Sequence, residues 1–285
     1  MKICGINTSI HLQDCTNTTE LIICIPFDHC LEIEAIVTFK EKASASSNLP
    51  TIPPSGVLKT AIPLVTFEDC GPDAALHFLC HHGDPSKPRY DHLVAIERSG
   101  RAEDGNYYNM RGVNIKHLVD PIDDLFIAAK DIPGIITTGI GDGGNELGMG
   151  KLKETVKNLM PNGSLIACDV TADYAITAGV SNWGGYAVAC GLYLLHTCPS
   201  HQRYLKKGLG EEARPPQEQQ QDWIANLPSV DKEESFLSTL VRFGIRSGKT
   251  AHLAMEVDGL TFHPTHSDII TRLLEVTQGS TSQNP

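Results

Sequence analysis

Six glycines fall within the twelve residues Gly139-Ile140-Gly141-Asp142-Gly143-Gly144-Asn145-Glu146-Leu147-Gly148-Met149-Gly150, directly after an apolar run. Glycine at this density lets a backbone turn sharply and approach a ligand closely. Asp142, Asn145 and Glu146 add oxygen ligands and hydrogen-bonding groups to the same turn. Gly139, Gly141 and Gly144 also satisfy the G-x-G-x-x-G spacing of a dinucleotide turn. Acids inside such a turn would repel a pyrophosphate, so the segment reads as a cation site and no nucleotide cofactor is expected.

A second segment, Glu97 to Gly112 (ERSGRAEDGNYYNMRG), follows the apolar run DHLVAI. It offers carboxylates at Glu97, Glu103 and Asp104, guanidiniums at Arg98, Arg101 and Arg111, and amides at Asn106 and Asn109. A guanidinium can clamp a substrate carboxylate through two N–H groups, while acids can hold a metal or move protons. A solvated loop laced by its own salt bridges would carry the same letters. Asp169 closes a third apolar run, SLIACD. Acids at the ends of apolar strands, Glu97, Asp142 and Asp169, are expected to converge in one crevice. Converging there, they would be hard oxygen ligands for Mg²⁺, Mn²⁺ or Ca²⁺.

Ser181-Asn182-Trp183-Gly184-Gly185 opens an apolar stretch. Its hydroxyl, amide and free backbone N–H groups suit an anion-binding turn, and an N-cap by Ser181 or Asn182 accounts for the same letters. His263-Pro264-Thr265-His266 holds an HxxH pair, but Pro264 breaks helical spacing, so two surface histidines are expected in preference to a metal pair. No G-x-S-x-G, HExxH or P-loop pattern occurs.

The elements that must position these groups alternate from Gly56 to Asp169 between short apolar runs and helix-like segments. This is the signature of an α/β fold, three-layered, with a largely parallel sheet. Strands are predicted at Ala61–Thr66, His92–Glu97, Ile135–Ile140 and Ser164–Asp169. A helix is predicted from Asp120 to about Lys130, with Asp120 as cap and Pro121 in first position. The C-terminal part reads as helical: Trp183–His196, then a helix from Asp231 with Glu234 at capping-box spacing and Gly244 as stop, then His266–Val276. Polar, Gln-rich residues 206–222 read as a mobile loop within the domain. Leu21–Phe27 has strand composition, residues 43–54 have linker composition, and residues 280–285 form a tail. The expected division is therefore 1–55 as an N-terminal segment and linker, and 56–279 as the domain.

Charge narrows the partners. The 23 basic and 34 acidic side chains give a formal net charge of −11, which argues against nucleic acid. Residues 175–197 lack Asp, Glu, Lys and Arg but include four glycines, so a buried core helix is expected there and no membrane partner. Nine cysteines without a CxxC pair fit a reducing compartment better than a disulfide framework. The first twenty residues show neither a signal-peptide nor a transit-peptide pattern, which by itself reads as cytosolic. A homo-oligomer is compatible with this composition.

DHLVAIERSGRAEDGNYYNMRG, IKHLVDPIDDLF, GIGDGGNELGMGK, IACDVTADYAITAGVSNWGGYA and MEVDGLTFHPTH together resemble the C-terminal domain of the vertebrate mitochondrial D-glutamate cyclases, over about 220 residues from near Gly56 to near Gly279. The resemblance implies conversion of D-glutamate to 5-oxo-D-proline with loss of water, in the mitochondrial matrix, in an acidic pocket that accommodates a metal. It carries onto Glu97, Arg98, Asp104, Asn109, Asp142, Asn145, Glu146 and Asp169. The expected roles are proton transfer by Glu97 or Asp104, a further catalytic part for Asn145, substrate binding by Arg98, Asn109, Arg111, Ser181 and Asn182, and a divalent cation, Mg²⁺ or Mn²⁺, held by Asp142, Glu146 and Asp169. Two other classes stay open: a catalytically incomplete module that binds a metal or anion, and a metal-dependent phosphoester hydrolase.

Overall fold

The structure, a computed structural model, describes residues 22–25, 35–39, 51–52, 62–67, 71–197, 227–247 and 250–279. One compact unit extends to Ser181 and a second begins at Asn182. The first unit is built on a seven-stranded sheet in the order β3-β4-β2-β1-β5-β6-β7. Its strands are β1 (Ile22–Ile25), β2 (Ala35–Phe39), β3 (Thr51–Ile52), β4 (Ile62–Phe67), β5 (His92–Ile96), β6 (Ile136–Gly141) and β7 (Tyr174–Thr177). β2 and β4 pair in parallel, as do β5, β6 and β7, while β1 and β3 run the other way. The α/β class with a largely parallel sheet is therefore present, with one antiparallel strand, β1, inserted into it and another, β3, at its edge.

β5, between antiparallel β1 and parallel β6, is buried on both faces, and its sequence HLVAI is correspondingly a continuous apolar run. Leu93 lies beside Thr137 and Ala95 beside Gly139 on one face; Val94 beside Thr138 and Ile96 beside Ile140 occupy the other. The first face carries the main core. Leu93 and Ala95 pack there with Leu79 of α1 (Ala74–Leu79) and with Leu125, Phe126 and Ala129 of α2 (Asp123–Ala129). Leu147, Met149, Cys168 and Val170 belong to the same cluster, so the glycine-rich turn and the residues around Asp169 are fastened to the sheet by their apolar neighbours.

Two expectations are corrected. Ser164–Asp169 is not a strand: Gly163–Ile166 forms a helical turn, α4, packed on α3 (Lys153–Leu159), and the third parallel strand of this run is β7. A six-residue apolar run suits a buried helix as well as a buried strand. Here Pro161-Asn162-Gly163 decides between them, because Asn162 is left-handed (φ 57°) and a Cβ on Gly163 would stand 2.0 Å from Val156 O, so only glycine lets the two helices meet. The second correction concerns α2. Its N-cap position is Ile122, without a side-chain cap, two residues beyond the Asp120 expected there.

The second unit is helical as expected. α5 (Ser181–Thr197), α6 (Val230–Arg242) and α7 (Ser267–Gln278) accompany a short hairpin of β8 (Glu256–Val257) and β9 (Leu260–Thr261). Tyr186, Leu237, Val257, Phe262 and Ile270 form its core. α6 is capped one residue ahead of its start by Ser229, whose hydroxyl accepts from Lys232 N at 3.3 Å, and Gly244 (φ 89°) follows its end. No helix among the described residues is long and apolar enough to cross a membrane. Residues 206–222, 280–285 and all of 43–54 except the strand Thr51–Ile52 lie outside the described residues, so the loop, tail and linker expected there are not described. Cys80, Cys168 and Cys190 are free and buried.

Candidate functional site

Glu97 follows directly on β5 and Asp142 directly on β6, so two carboxylates leave the carboxyl ends of neighbouring parallel strands. Glu97 N donates to Ile140 O at 3.1 Å, and Glu97 itself is left-handed (φ 57°), a conformation uncommon for a residue with a Cβ. The loops beyond the strands are laced together in antiparallel fashion. Leu147 N donates to Arg98 O at 2.6 Å, Gly100 N donates to Asn145 O at 2.8 Å, and Ser99 pairs with Glu146. This lacing returns Glu146 to the strand ends. Carboxylate oxygens of Glu97, Asp142 and Glu146 lie within 4.8 Å of one another.

Glu146 is 4 % exposed, and its two oxygens accept from Gly143 N (2.8 Å) and Gly144 N (2.7 Å). Those bonds favour the anion, yet burial and then the neighbouring Asp142 outweigh them and push its pKa up to about 7. A Cβ on Gly141 would stand 2.5 Å from Glu146 Oε2, so glycine is needed at that position for the carboxylate to reach the turn amides. Asp142 Oδ2 accepts from Ser181 N at 3.1 Å, at the first residue of α5. The Ser181 side chain is fully buried, and its Oγ has no hydrogen-bond partner among the described residues.

The other predicted residues are placed as follows. Asp169 is exposed and pairs with Lys153 at 2.5 Å, in a surface cluster where Glu103 accepts from both Lys153 and Lys157 at 3.1 Å. Asp104 accepts from Tyr108 Oη (2.5 Å) and from Asn106, which hold its carboxyl below the ordinary range. With Glu103, Lys157, Ser164, Leu165 and Ala167 it lines an open cleft of about 270 Å³. Asn109 Oδ1 accepts from Arg111 N (3.0 Å) and Val113 N (3.1 Å), so this amide shapes its own turn, while Arg111 is exposed. Arg98 is 1 % exposed and donates to Ser99 O (2.7 Å) and to Asp120 O. Asn145 Nδ2 donates to Tyr108 O at 2.9 Å, tying the two loops again. Asn182 is half-buried in the first turn of α5. The HxxH pair is divided: His263 meets Glu234 at 3.1 Å, and the buried His266 lies between Trp183 Nε1 and Val257 O.

The structure thus brings together Glu97, Asp142 and Glu146, and Asp169 takes no part in that group. Glu97 was predicted at the site for proton transfer, and only the lacing of the two loops reveals its proximity to Glu146. Asp123 and Tyr107 were missed as parts of the site's framework. Asp123 lies in the first turn of α2, where an acid suits a helix N-terminus, but its carboxylate turns inward to Arg101 N (2.8 Å) and Tyr107 Oη (2.7 Å). The available signal was Tyr107 in a loop otherwise rich in charge.

Three clustered carboxyls of which one is deeply buried need a proton or a cation among them. Their donor set is all hard oxygen, which fits Mg²⁺ or Mn²⁺.

Comparison with known proteins agrees with the sequence reading of the family. The family model "D-glutamate cyclase-like, C-terminal" matches residues 32–274, starting ahead of the position near 56 where the recognisable motifs begin. The human (Homo sapiens) protein named "D-glutamate cyclase, mitochondrial" is 60% identical over 222 residues. That match covers 78% of this chain and 36% of the human protein, so the chain spans about a third of that relative's length. With most of its length matched, and with the matched span including both acid-bearing loops, the chain belongs to the D-glutamate cyclase-like C-terminal family.

Proposed function

We propose that the chain closes D-glutamate into 5-oxo-D-proline with release of water, at the cluster formed by Glu97, Asp142 and Glu146. The observation that carries the reading is a carboxyl trio within 4.8 Å in which Glu146 titrates near neutrality, in a member of this family. The reaction asks for those properties. The substrate's α-nitrogen bonds to its γ-carboxyl carbon and sheds two protons, one γ-oxygen departs, and those two protons leave with it as water. The step is intramolecular, so the protein must fold the substrate, free the amine of its proton and protonate the departing oxygen.

Glu97, half-buried beside Glu146, is assigned as the base that takes a proton from the ammonium group. Glu146, which holds a proton at neutral pH more readily than an ordinary carboxyl, is assigned as the acid that passes one to the departing oxygen. Asp142, anchored by Ser181 N, keeps a carboxyl beside Glu146 and so sustains its raised pKa. Arg111, exposed on the 97–112 loop, is the donor assigned to the substrate's carboxylates. Asn145 and Arg98 hold the loops in place through their bonds to backbone carbonyls. Bound by Glu97, Asp142 and Glu146 in place of the shared proton, Mg²⁺ or Mn²⁺ would supply charge neutralisation and polarisation of the γ-carboxylate instead of the proton transfers by Glu97 and Glu146. A mitochondrial location is proposed on the name of the human relative.

The test is direct. Purified chain with D-glutamate and Mg²⁺ or Mn²⁺ is expected to form 5-oxoproline, measured by chromatography. Glu146→Ala should lower turnover about a hundredfold or more, the usual contribution of a positioned acid, and Asp142→Ala should lower it as well by removing the neighbour that sustains the raised pKa of Glu146. Undiminished activity in both variants would falsify the site assignment.

A further inference from the structure

Asp123 is fully buried at the first position of α2. A carboxylate in such a place is tolerated only when its lone pairs are filled and its charge is balanced. Oδ1 accepts from Arg101 N at 2.8 Å and Oδ2 from Tyr107 Oη at 2.7 Å. Tyr107 is 2 % exposed, and burial followed by the Asp123 charge pushes its phenol well above the ordinary value, so it remains a donor. The Arg98 guanidinium lies over the Tyr107 ring, 5.9 Å from its centre. Arg98 is the residue after Glu97, and its carbonyl accepts from the amide of Leu147, the residue after Glu146. Asp123, Tyr107 and Arg98 therefore form a continuous buried brace that ends on the backbone joining the two acids.

We propose that Asp123 is a positioning residue that, through Tyr107 and Arg98, sets the separation of the Glu97 and Glu146 carboxylates. The kinetic consequence rests on the cyclase reading above, whereas the geometric claim stands by itself. A helix acid that merely stabilised α2 would leave that separation unchanged when altered.

Asp123→Asn keeps an acceptor for Arg101 N and removes the charge at the foot of the brace, and Tyr107→Phe keeps the ring beneath Arg98 and removes the bond to Asp123, so both variants of the full chain weaken the brace with little change of shape. Crystal structures of both are expected to show a folded sheet with the Glu97 carboxylate displaced from Glu146. Turnover should fall about tenfold to a hundredfold, the penalty of a slightly misplaced reacting group, with KM changed less than about twofold. Leu125→Ala serves as the comparison, since it destabilises the same helix without touching the brace. An unchanged Glu97–Glu146 separation in both variants, or an equal kcat loss in Leu125→Ala, overturns the proposal. If the unaltered chain forms no 5-oxoproline, the cyclase reading fails, and the variant structures still decide the brace.

Discussion

Glu146 is a buried carboxyl beside another acid, and its environment makes a pH-dependent prediction. Its folded pKa, about 7, is raised above the unfolded value near 4.5, so the folded state binds the proton more tightly. Its stabilising contribution is therefore complete below about pH 4.5 and is lost as pH rises through 7. Asp142→Asn removes one of the two causes of the shift. The loss of stability between pH 5 and pH 8, measured by urea unfolding, should be smaller in that variant than in the unaltered chain; an equal loss would show that burial alone sets the pKa. Gly141→Ala acts on the same carboxyl by space. The new methyl would stand 2.5 Å from Glu146 Oε2 and 2.9 Å from its Cδ, and the carboxyl cannot retreat without leaving the two amides it accepts from. A stability loss of roughly 2–4 kcal/mol is expected, from overpacking together with a broken buried hydrogen bond. Calorimetry or urea unfolding reads it.

Among the elements, the hairpin and the helices of the second unit meet at His266. Trp183 Nε1 donates to His266 Nδ1 at 3.0 Å, and an indole N–H can only donate, so Nδ1 carries no proton. Nε2–H then donates to Val257 O at 3.0 Å, and a neutral ring satisfies both partners. Burial lowers its pKa below the ordinary value near 6.5. The folded state thus binds this proton more weakly than the unfolded chain. Its contribution is complete above about pH 6.5 and is lost as pH falls through the folded value. The urea midpoint should decline from pH 7 to pH 5. His266→Gln, whose amide can accept from Trp183 and donate to Val257, should show a shallower decline, and parallel declines would remove His266 as the cause. In the first unit, the strands carrying the site were legible because β5 and β6 are apolar runs ending in Glu97 and in Gly141-Asp142. Ser164–Asp169 was not, because its apolar letters fit a helical turn equally well and the Asn162-Gly163 conformation made the choice.

For the whole molecule, a cation held by the trio would bind the folded chain alone and stabilise it by mass action. At a free Mn²⁺ concentration about a hundredfold above Kd the gain is about 2.7 kcal/mol. The thermal midpoint should therefore rise with Mn²⁺ in the unaltered chain and stay level in the double variant Asp142→Asn, Glu146→Gln. A level midpoint in both would leave a shared proton, not a cation, as what reconciles the three carboxyls. The sequence by itself determined the α/β class, the helical C-terminal part, the family, and the two loops on which chemistry could sit, because apolar periodicity, glycine density and long motifs are properties of adjacent residues. Only the tertiary structure decided which acids meet. Glu97 joins Asp142 and Glu146 through backbone bonds between residues nearly fifty positions apart, and Asp169, another carboxylate next to an apolar run, is drawn to Lys153 on the surface. Convergence depends on where chain segments return in space, and the partner each carboxylate finds there fixes whether it can work at a site or serves only to hold a loop.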